Sequence, residues 1–195
     1  SRPYVTYHAD YIESVWWVLA RLADRGLMYR GHKSVPYCPR CGTALSSHEV
    51  AQGYEEVEDP SLTFLCPWLT DDGTPDPEGR HFVAWTTTPW TVPSNTGLAV
   101  HPDLTYVEVA DPRVEGRRLV LSEARLEEVV EGDPAVLRTW QGSELAGRRY
   151  ERPLDIVPEP DEKGNAWTVV AEDFVSAADG TGIVHMAPAF GSDDY

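Results

Sequence analysis

Phe82-Val83-Ala84-Trp85-Thr86-Thr87-Thr88-Pro89-Trp90-Thr91-Val92-Pro93-Ser94-Asn95-Thr96 is the stretch whose reading decides the fold. Its opening, Phe82 to Thr88, is apolar, aromatic and β-branched, as a strand requires, and Pro89 and Pro93 then break any regular ladder. The same texture recurs on both sides. Thr63 to Leu65, Thr105 to Val109, Leu119 to Leu121, Ala135 to Thr139, Trp167 to Ala171 and Gly182 to His185 are short β-type runs with turn residues between them. Many short strands predict a barrel-like antiparallel or mixed sheet. A helical insert, Glu123 to Val130, introduced by Ser122 and stopped by Gly132, makes the class α+β, mainly β, with a few peripheral helices.

The N-terminal segment reads differently. Asp10 and Glu13 have capping-box spacing, and Ile12, Val15, Trp16, Leu19, Leu22 and Ala23 recur at helical intervals before Gly26, which predicts a helix over residues 11 to 25. Its stripe carries Trp16 and Trp17, which gain most by burial against a core or a neighbouring domain. Next comes Cys38-Pro39-Arg40-Cys41-Gly42, with the spacing that lets two thiolates converge on one zinc ion or simply turn the chain. We therefore expect residues 1–52 to form a helix and a small zinc-ribbon-like appendage, and residues 53–195 to form the main domain. The acidic, proline-rich stretches Asp71 to Gly79 and Pro158 to Asn165 read as solvated loops.

With 195 residues the chain is long enough for one substantial core. No apolar run approaches the length of a membrane span, and Ser1-Arg2-Pro3-Tyr4 lacks the features of a signal peptide, so a soluble, cytoplasmic protein with no membrane partner is expected. Its three cysteines fit a reducing compartment better than a disulfide framework. The formal net charge of −16 repels a phosphate backbone over any long interface, which argues against autonomous nucleic-acid binding. Touching only the end of an RNA delivered by other parts of a larger protein remains compatible with that charge.

Two segments carry more polar chemistry than packing needs. The threonines and Asn95 of the opening stretch offer hydroxyls and unpaired backbone groups to a small polar ligand, although threonine is also simply a good strand former. In Gly180-Thr181-Gly182-Ile183-Val184-His185-Met186-Ala187-Pro188-Ala189-Phe190-Gly191-Ser192-Asp193-Asp194, a glycine-rich turn feeds a short strand ending in His185, and a loop then leads to two adjacent carboxylates. A lone histidine at a strand end, as His185 is, is more often structural than catalytic, and Ser192 with its following acids also reads as the opening of a helix. The sequence holds no Gly-x-Ser-x-Gly elbow, no His-Glu-x-x-His and no phosphate-binding Gly-x-x-x-x-Gly-Lys loop. A pocket of threonine hydroxyls, one imidazole and a carboxylate is suited to positioning an ester for attack by water.

These residues resemble a known family. Trp85-Thr86-Thr87-Thr88-Pro89-Trp90-Thr91 and the segment from Gly180 to Gly191 with Asp194 are similar to the two editing motifs in the insertion that divides the catalytic domain of isoleucine-type class I aminoacyl-tRNA synthetases. Tyr11 to Trp17 and Tyr37 to Thr43 are similar to that family's helical lead-in and zinc knuckle. The valine and leucine types have a Thr-Thr-Arg-Pro version where this chain reads Thr87-Thr88-Pro89-Trp90, which favours the isoleucine type.

The resemblance implies the editing-domain fold and hydrolysis of valyl-tRNA for isoleucine, with valyl-adenylate as a further substrate. It also implies a piece of a longer synthetase whose ligase site lies elsewhere. A pocket shaped for isoleucine rejects valine by only one methylene, about 1–3 kcal/mol, the isoleucine enzymes being the known instance of this limit, so a second, hydrolytic sieve is needed. By resemblance Asp194 pairs with the α-ammonium of the aminoacyl group, with Asp193 the weaker candidate. Thr86, Thr87 and Thr88 line the pocket near the terminal adenosine and the carbonyl. Trp90, Thr91 and Asn95 contribute beside them, as does the segment Ala187, Pro188, Ala189 and Phe190. His185 excludes the larger isoleucine side chain by occupying space. Hydrolysis would need no cofactor; Cys38 and Cys41 would be half of a structural zinc site completed by a second cysteine pair beyond the insertion. Rival readings are a valine- or leucine-type editing domain and a non-catalytic module that guides the tRNA end.

Overall fold

The apolar stripe of the N-terminal segment winds into helix α1 (Ala9–Asp24). In the computed structural model, which describes residues 3–156 and 165–195, this helix belongs to one unit, Ser1–Lys33, and the rest of the chain to another, Ser34–Tyr195. The stretch read as a loop from Pro158 onward lies, except for Asn165, outside the described residues. The helix starts earlier than its expected cap: His8 is the N-cap and Asp10 sits inside the first turn, where its charge favours the helix dipole. It ends at Gly26 as the sequence predicts, with Gly26 N–H donating to Ala23 O and Leu27 N–H to Leu22 O. Trp16 and Trp17 are exposed on this helix.

In the second unit, β1 (Tyr37–Cys38) and β2 (Thr43–Ala44) form a short antiparallel hairpin. The expected zinc ribbon amounts to this one hairpin; no second ligand-bearing turn accompanies it among the described residues. Helix α2 (Ser47–Gln52), which hydrophobic periodicity does not reveal, is fixed by a capping box in which Ser46 Oγ accepts from Glu49 N–H and Glu49 Oε2 accepts from Ser46 N–H at 2.8 Å.

A single sheet then takes up β3 (Leu62–Leu69), β4 (Arg80–Thr86), β5 (Gly97–Val100), β6 (Thr105–Ala110), β7 (Arg118–Ser122), β8 (Val136–Gln141), β9 (Arg149–Tyr150), β10 (Thr168–Ala171) and β11 (Ile183–Met186). Their spatial order is β11-β5-β10-β9-β3-β4-β7-β6-β8, and a further pairing of β11 with β4 closes the first six into a barrel. The expectation of a mainly β, barrel-like mixed sheet is borne out: β3 and β4 are antiparallel, whereas β5 with β10 and β4 with β11 are parallel. The helical insert is shorter than expected, a 3₁₀ turn over Glu123–Arg125 followed by α3 (Leu126–Val129); α4 (Gly142–Leu145) links β8 to β9.

Strand alternation distributes the core. On β4, Phe82 and Ala84 join a cluster with Cys66, Trp68, Leu98, Tyr106, Tyr150 and Ile183, while the intervening Val83 joins Val107, Val109, Leu119 and Leu121 on the opposite face. Both faces of β4 are therefore buried from Phe82 to Ala84, which is why this middle part is continuously apolar rather than alternating. Trp68 stacks on Phe82 with ring centroids 4.8 Å apart, and the Arg80 guanidinium lies 4.9 Å over the Trp68 ring.

A charge enters this interior from mid-strand. Glu108, mid-strand on β6, is 0% exposed and accepts from Arg118 Nη1 at 2.6 Å, with Arg80 Nε 3.9 Å from its other oxygen. Glu78 binds both arginines from the rim. Removing Glu108 takes a buried acceptor from Arg118 while Glu78 still faces both arginines, so Glu108→Ala is expected to lower folding stability by about 1–3 kcal/mol, read by urea denaturation. A midpoint unchanged from the parent chain would mean that the arginines find other partners at no cost.

Candidate active site

The two motifs are separated by about a hundred residues of sequence, and the barrel closure unites them. Trp85 of β4 pairs in parallel with Val184 of β11. In a parallel register the following residues also stand side by side, and both point to the opposite face from their predecessors. Thr86 and His185 are therefore neighbours on the inner face, and both are buried, while Trp85 and Val184 are half-buried behind them.

The turn into β11 is held by close packing. Gly182 has φ of +75°, and a Cβ on it would stand 2.4 Å from Ser122 Cβ at the end of β7. Only glycine fits there. The Tyr106 hydroxyl donates to Gly182 O at 2.8 Å, and Ser122 N–H donates to Thr181 O at 2.9 Å, so the strand carrying His185 is anchored on β6 and β7.

After Thr86 the chain leaves the sheet because Pro89 cannot continue a ladder, and Pro89–Ser94 coils into a 3₁₀ helix that folds Thr91 back toward Thr86 and Thr88. Thr86 Oγ1 lies 3.2 Å from Thr88 Oγ1, which lies 3.1 Å from Thr91 Oγ1. Thr91 Oγ1 donates to Thr88 O at 2.8 Å and lies 3.0 Å from His185 Nε2. On the other side of the ring, Asn95 Nδ2 is 2.8 Å from His185 Nδ1 and also donates to Gly97 O at 2.9 Å; Tyr150 donates its hydroxyl proton to Asn95 Oδ1 at 2.6 Å. Burial holds the His185 imidazole below its ordinary pKa, outweighing the upward pull of the Asp194 carboxylate and the hydrogen bond at Thr91.

Asp194 reaches the same place from the closing loop. Its Oδ2 accepts from Ala187 N–H at 2.7 Å, and a Cβ on Gly191 would stand 2.6 Å from the carboxylate, so a side chain at position 191 would displace it. Residues 192 and 193 bend, Asp193 is exposed, and Asp194 is half-buried against the cavity.

Together these groups line a cavity of about 410 Å³ bounded by Thr86, Thr87, Thr88, Trp90, Thr91, His185, Ala187, Phe190 and Asp194. Trp85, Val184 and Gly191 complete the wall and were not singled out by the sequence. Asn95 stands behind His185 rather than in the wall, and Pro188 and Ala189 lie outside the lining. Tyr150 is a further member of the hydrogen-bonded set that no local motif marks; it comes from a two-residue strand. Chemically, the cavity offers a carboxylate for a cation, hydroxyls for a polarised carbonyl or a water, and aromatic rims at Trp90 and Phe190.

The cysteines lie apart from this set. Cys66 is buried and desolvation pushes its thiol up to about 12, which leaves it inert as a nucleophile. Cys38 accepts from Cys41 N–H at 3.4 Å, and that amide, with Arg40's, lowers its thiol. No group of three or more His, Cys, Asp or Glu side chains converges among the described residues, so Cys38 and Cys41 do not by themselves make the tetrahedral set that a structural zinc takes.

Comparison with known proteins adds the following. A family model described as tRNA synthetases class I (I, L, M and V) matches residues 1–184. The isoleucine--tRNA ligase of Clostridium acetobutylicum is 50% identical over 194 residues, which is 100% of this chain and 18% of that protein. The corresponding protein of Clostridium tetani is 46% identical over 194 residues, again 100% of this chain and 18% of the relative, and that of Bacillus thuringiensis (strain Al Hakam) is 45% identical over 193 residues, with 99% and 17% covered. The chain thus spans less than a fifth of the length of these relatives. Among solved structures, GlLeuRS-CP1 aligns with a TM-score of 0.55 at 18% identity, over 70% of this chain and 58% of that one. The P. knowlesi cytosolic leucyl-tRNA synthetase editing domain aligns with a TM-score of 0.52 at 15% identity, over 71% and 62%. At those identities the likeness is one of fold.

Proposed function

This chain belongs to the class I tRNA synthetases, the I, L, M and V enzymes, and on that premise we propose that it is the editing region of an isoleucine-type synthetase. It hydrolyses the ester of valine wrongly attached to the tRNA for isoleucine, and valyl-adenylate as well. The observation that carries this reading is the cavity in which the Thr86–Thr88 hydroxyls, the Asp194 carboxylate and the buried His185 ring meet. The similarity to isoleucine--tRNA ligases along the whole chain, and an editing-domain fold, support it.

In this reading Asp194 binds the α-ammonium of the aminoacyl group through a charge-assisted hydrogen bond, which fixes where the carbonyl lies. Thr86, Thr87 and Thr88 orient the ester and a water, with Trp90 and Phe190 at the rim and Thr91 and Asn95 bracing His185. The ribose hydroxyl beside the ester relays the proton to the leaving oxygen. Positioning supplies most of the acceleration, since His185 is held neutral and hydrogen-bonded at both ring nitrogens. The rest of the longer enzyme, working in the cytoplasm, delivers the 3′ end of the tRNA, which explains how a chain of charge −16 meets an RNA substrate. Cys38 and Cys41 would supply part of a structural zinc site there, apart from the hydrolytic cavity.

The test is deacylation of valyl-tRNA and isoleucyl-tRNA by this chain and by the longer enzyme. Valyl-tRNA is expected to be cleaved at least about tenfold faster than isoleucyl-tRNA, the discrimination that roughly one methylene provides. Equal cleavage of both, or cleavage of neither by the longer enzyme, would overturn the proposal, and preferential loss of a threonyl or norvalyl ester would reassign the chain to a valine or leucine type.

A further inference from the structure

The cavity's imidazole has one proton to place and two nitrogens to place it on, and the surrounding hydrogen bonds decide between them. Asn95 carries two amide protons. Its Nδ2 lies 2.9 Å from Gly97 O, which can only accept, and 2.8 Å from His185 Nδ1; its Oδ1 receives the Tyr150 hydroxyl at 2.6 Å. With the amide so oriented, both of its protons point at acceptors, and His185 Nδ1 is one of them. A nitrogen that accepts has no proton of its own, so the ring proton resides on Nε2 and is donated to Thr91 Oγ1 at 3.0 Å. Thr91 in turn donates to Thr88 O at 2.8 Å. The chain of donors runs one way from Tyr150 and Asn95 through His185 to the threonine turn.

Tyr150 is the remote end of that chain. It lies on β9, is 1% exposed, and is 35 positions in sequence from His185, so nothing in either editing-like motif marks it. The backbone of Asn95 is held separately: Trp167, at a left-handed φ of 57°, donates its indole N–H to Asn95 O at 3.1 Å and its backbone N–H to Thr96 O at 2.7 Å. What this leaves is the Asn95 amide, whose orientation Gly97 O fixes and whose oxygen Tyr150 anchors.

We propose that Tyr150 is a positioning residue: acting through Asn95 it pins the Nε2-protonated His185 ring against the cavity, so that the size limit on the aminoacyl side chain is held from β9. This rests on the proposed editing function for its consequence, but not for its geometry. Without the hydroxyl, Asn95 Oδ1 is a buried acceptor with no donor. Turning the amide over gives no relief, because Oδ1 would then face Gly97 O and both amide protons would be left without acceptors, so the tautomer stays. The side chain of Asn95 is instead held at one point fewer, the bond it donates to Nδ1 loosens, and the ring loses its single position.

The test combines a spectrum with a ratio. In the chain labelled with ¹⁵N at histidine, His185 is expected to show a protonated Nε2 and an unprotonated Nδ1 at neutral pH, with no tRNA present. Tyr150→Phe is expected to keep the proton on Nε2, to move the Nδ1 shift toward that of a nitrogen accepting no hydrogen bond, and to lower the preference for valyl-tRNA over isoleucyl-tRNA by about tenfold, chiefly by raising cleavage of isoleucyl-tRNA, with valyl-tRNA turnover changed far less; a tenfold change is what about 1.4 kcal/mol produces. A merely structural loss would lower both turnovers together and leave the Nδ1 shift alone. A parent spectrum with Nδ1 protonated overturns the proposal, and so does a Tyr150→Phe chain in which neither the Nδ1 shift nor the ratio moves. If Tyr150→Phe does not fold, the parent spectrum still decides. If the parent spectrum is as expected but no valyl-tRNA is cleaved, the editing function fails while the tautomer assignment stands.

Discussion

Asp194→Asn is expected to reduce kcat/KM for valyl-tRNA deacylation by more than about a hundredfold, while the protein stays folded. The substitution is chosen to remove charge and little else. Asparagine keeps an acceptor for Ala187 N–H, which holds the carboxylate at 2.7 Å, and it keeps the shape that Gly191 leaves room for. What disappears is the ability to pair with an ammonium group at a half-buried carboxylate in an open-mouthed cavity, a contact whose loss from a buried pair costs about 2–5 kcal/mol. Because the substrate's ammonium fixes where its carbonyl lies, that loss falls on the reacting geometry as well as on binding. Circular dichroism and a denaturation midpoint close to the parent's establish that the fold is intact. Undiminished turnover in such a folded variant would count against the placement of the substrate, and with it against the roles given to the threonines.

The second large effect concerns which ester is cut. His185→Ala is expected to convert a chain that spares isoleucyl-tRNA into one that hydrolyses it at a rate approaching that for valyl-tRNA. The imidazole forms part of the cavity wall, is 6% exposed, and meets Phe64 edge-on with ring centroids 6.2 Å apart, so it has little room to move aside for a larger substrate. Removing it frees far more space than the one methylene that separates isoleucine from valine, a difference worth about 1–3 kcal/mol. Since both ring nitrogens are engaged and the group is held neutral by burial, loss of the ring is not expected to remove a proton acceptor from the reaction. It does strip Asn95 and Thr91 of a partner, a cost of roughly 1–3 kcal/mol in stability, so rates must be compared well below the variant's own melting range. Isoleucyl-tRNA that remains intact beside cleaved valyl-tRNA would show that another part of the wall sets the limit.

Much of the cavity could be read from the chain because its parts sit in two dense local motifs. Thr86, Thr87, Thr88, Trp90 and Thr91 fall within one turn forced by Pro89, and His185, Ala187, Phe190 and Asp194 fall within one strand and its closing loop. Pro188 and Ala189 belong to the same loop but lie outside the lining, a matter of loop geometry that spacing does not encode. Strand β5, Gly97–Val100, escaped notice because it is buried along its whole length, so it shows neither alternation nor sufficient length to stand out. Helix α1 began earlier than the Asp10 signal suggested because an extended His8 can cap through its backbone carbonyl alone.

By itself the sequence determined the class of the fold and the chemical inventory: short strands punctuated by proline and glycine, hydroxyls beside an imidazole and a carboxylate, and a family signature strong enough to place them. Those are properties of neighbours along the chain, and periodicity, turn chemistry and spacing record them directly. Only the tertiary structure decided that β4 and β11 close the barrel in parallel with Trp85 opposite Val184, which sets Thr86 beside His185. It alone brought Tyr150 from a two-residue strand onto Asn95, and Glu108 into a core with two arginines. The physical reason is that strand pairing and buried hydrogen bonds join residues far apart in sequence, and their partners are selected by the packing of the whole barrel rather than by any local pattern.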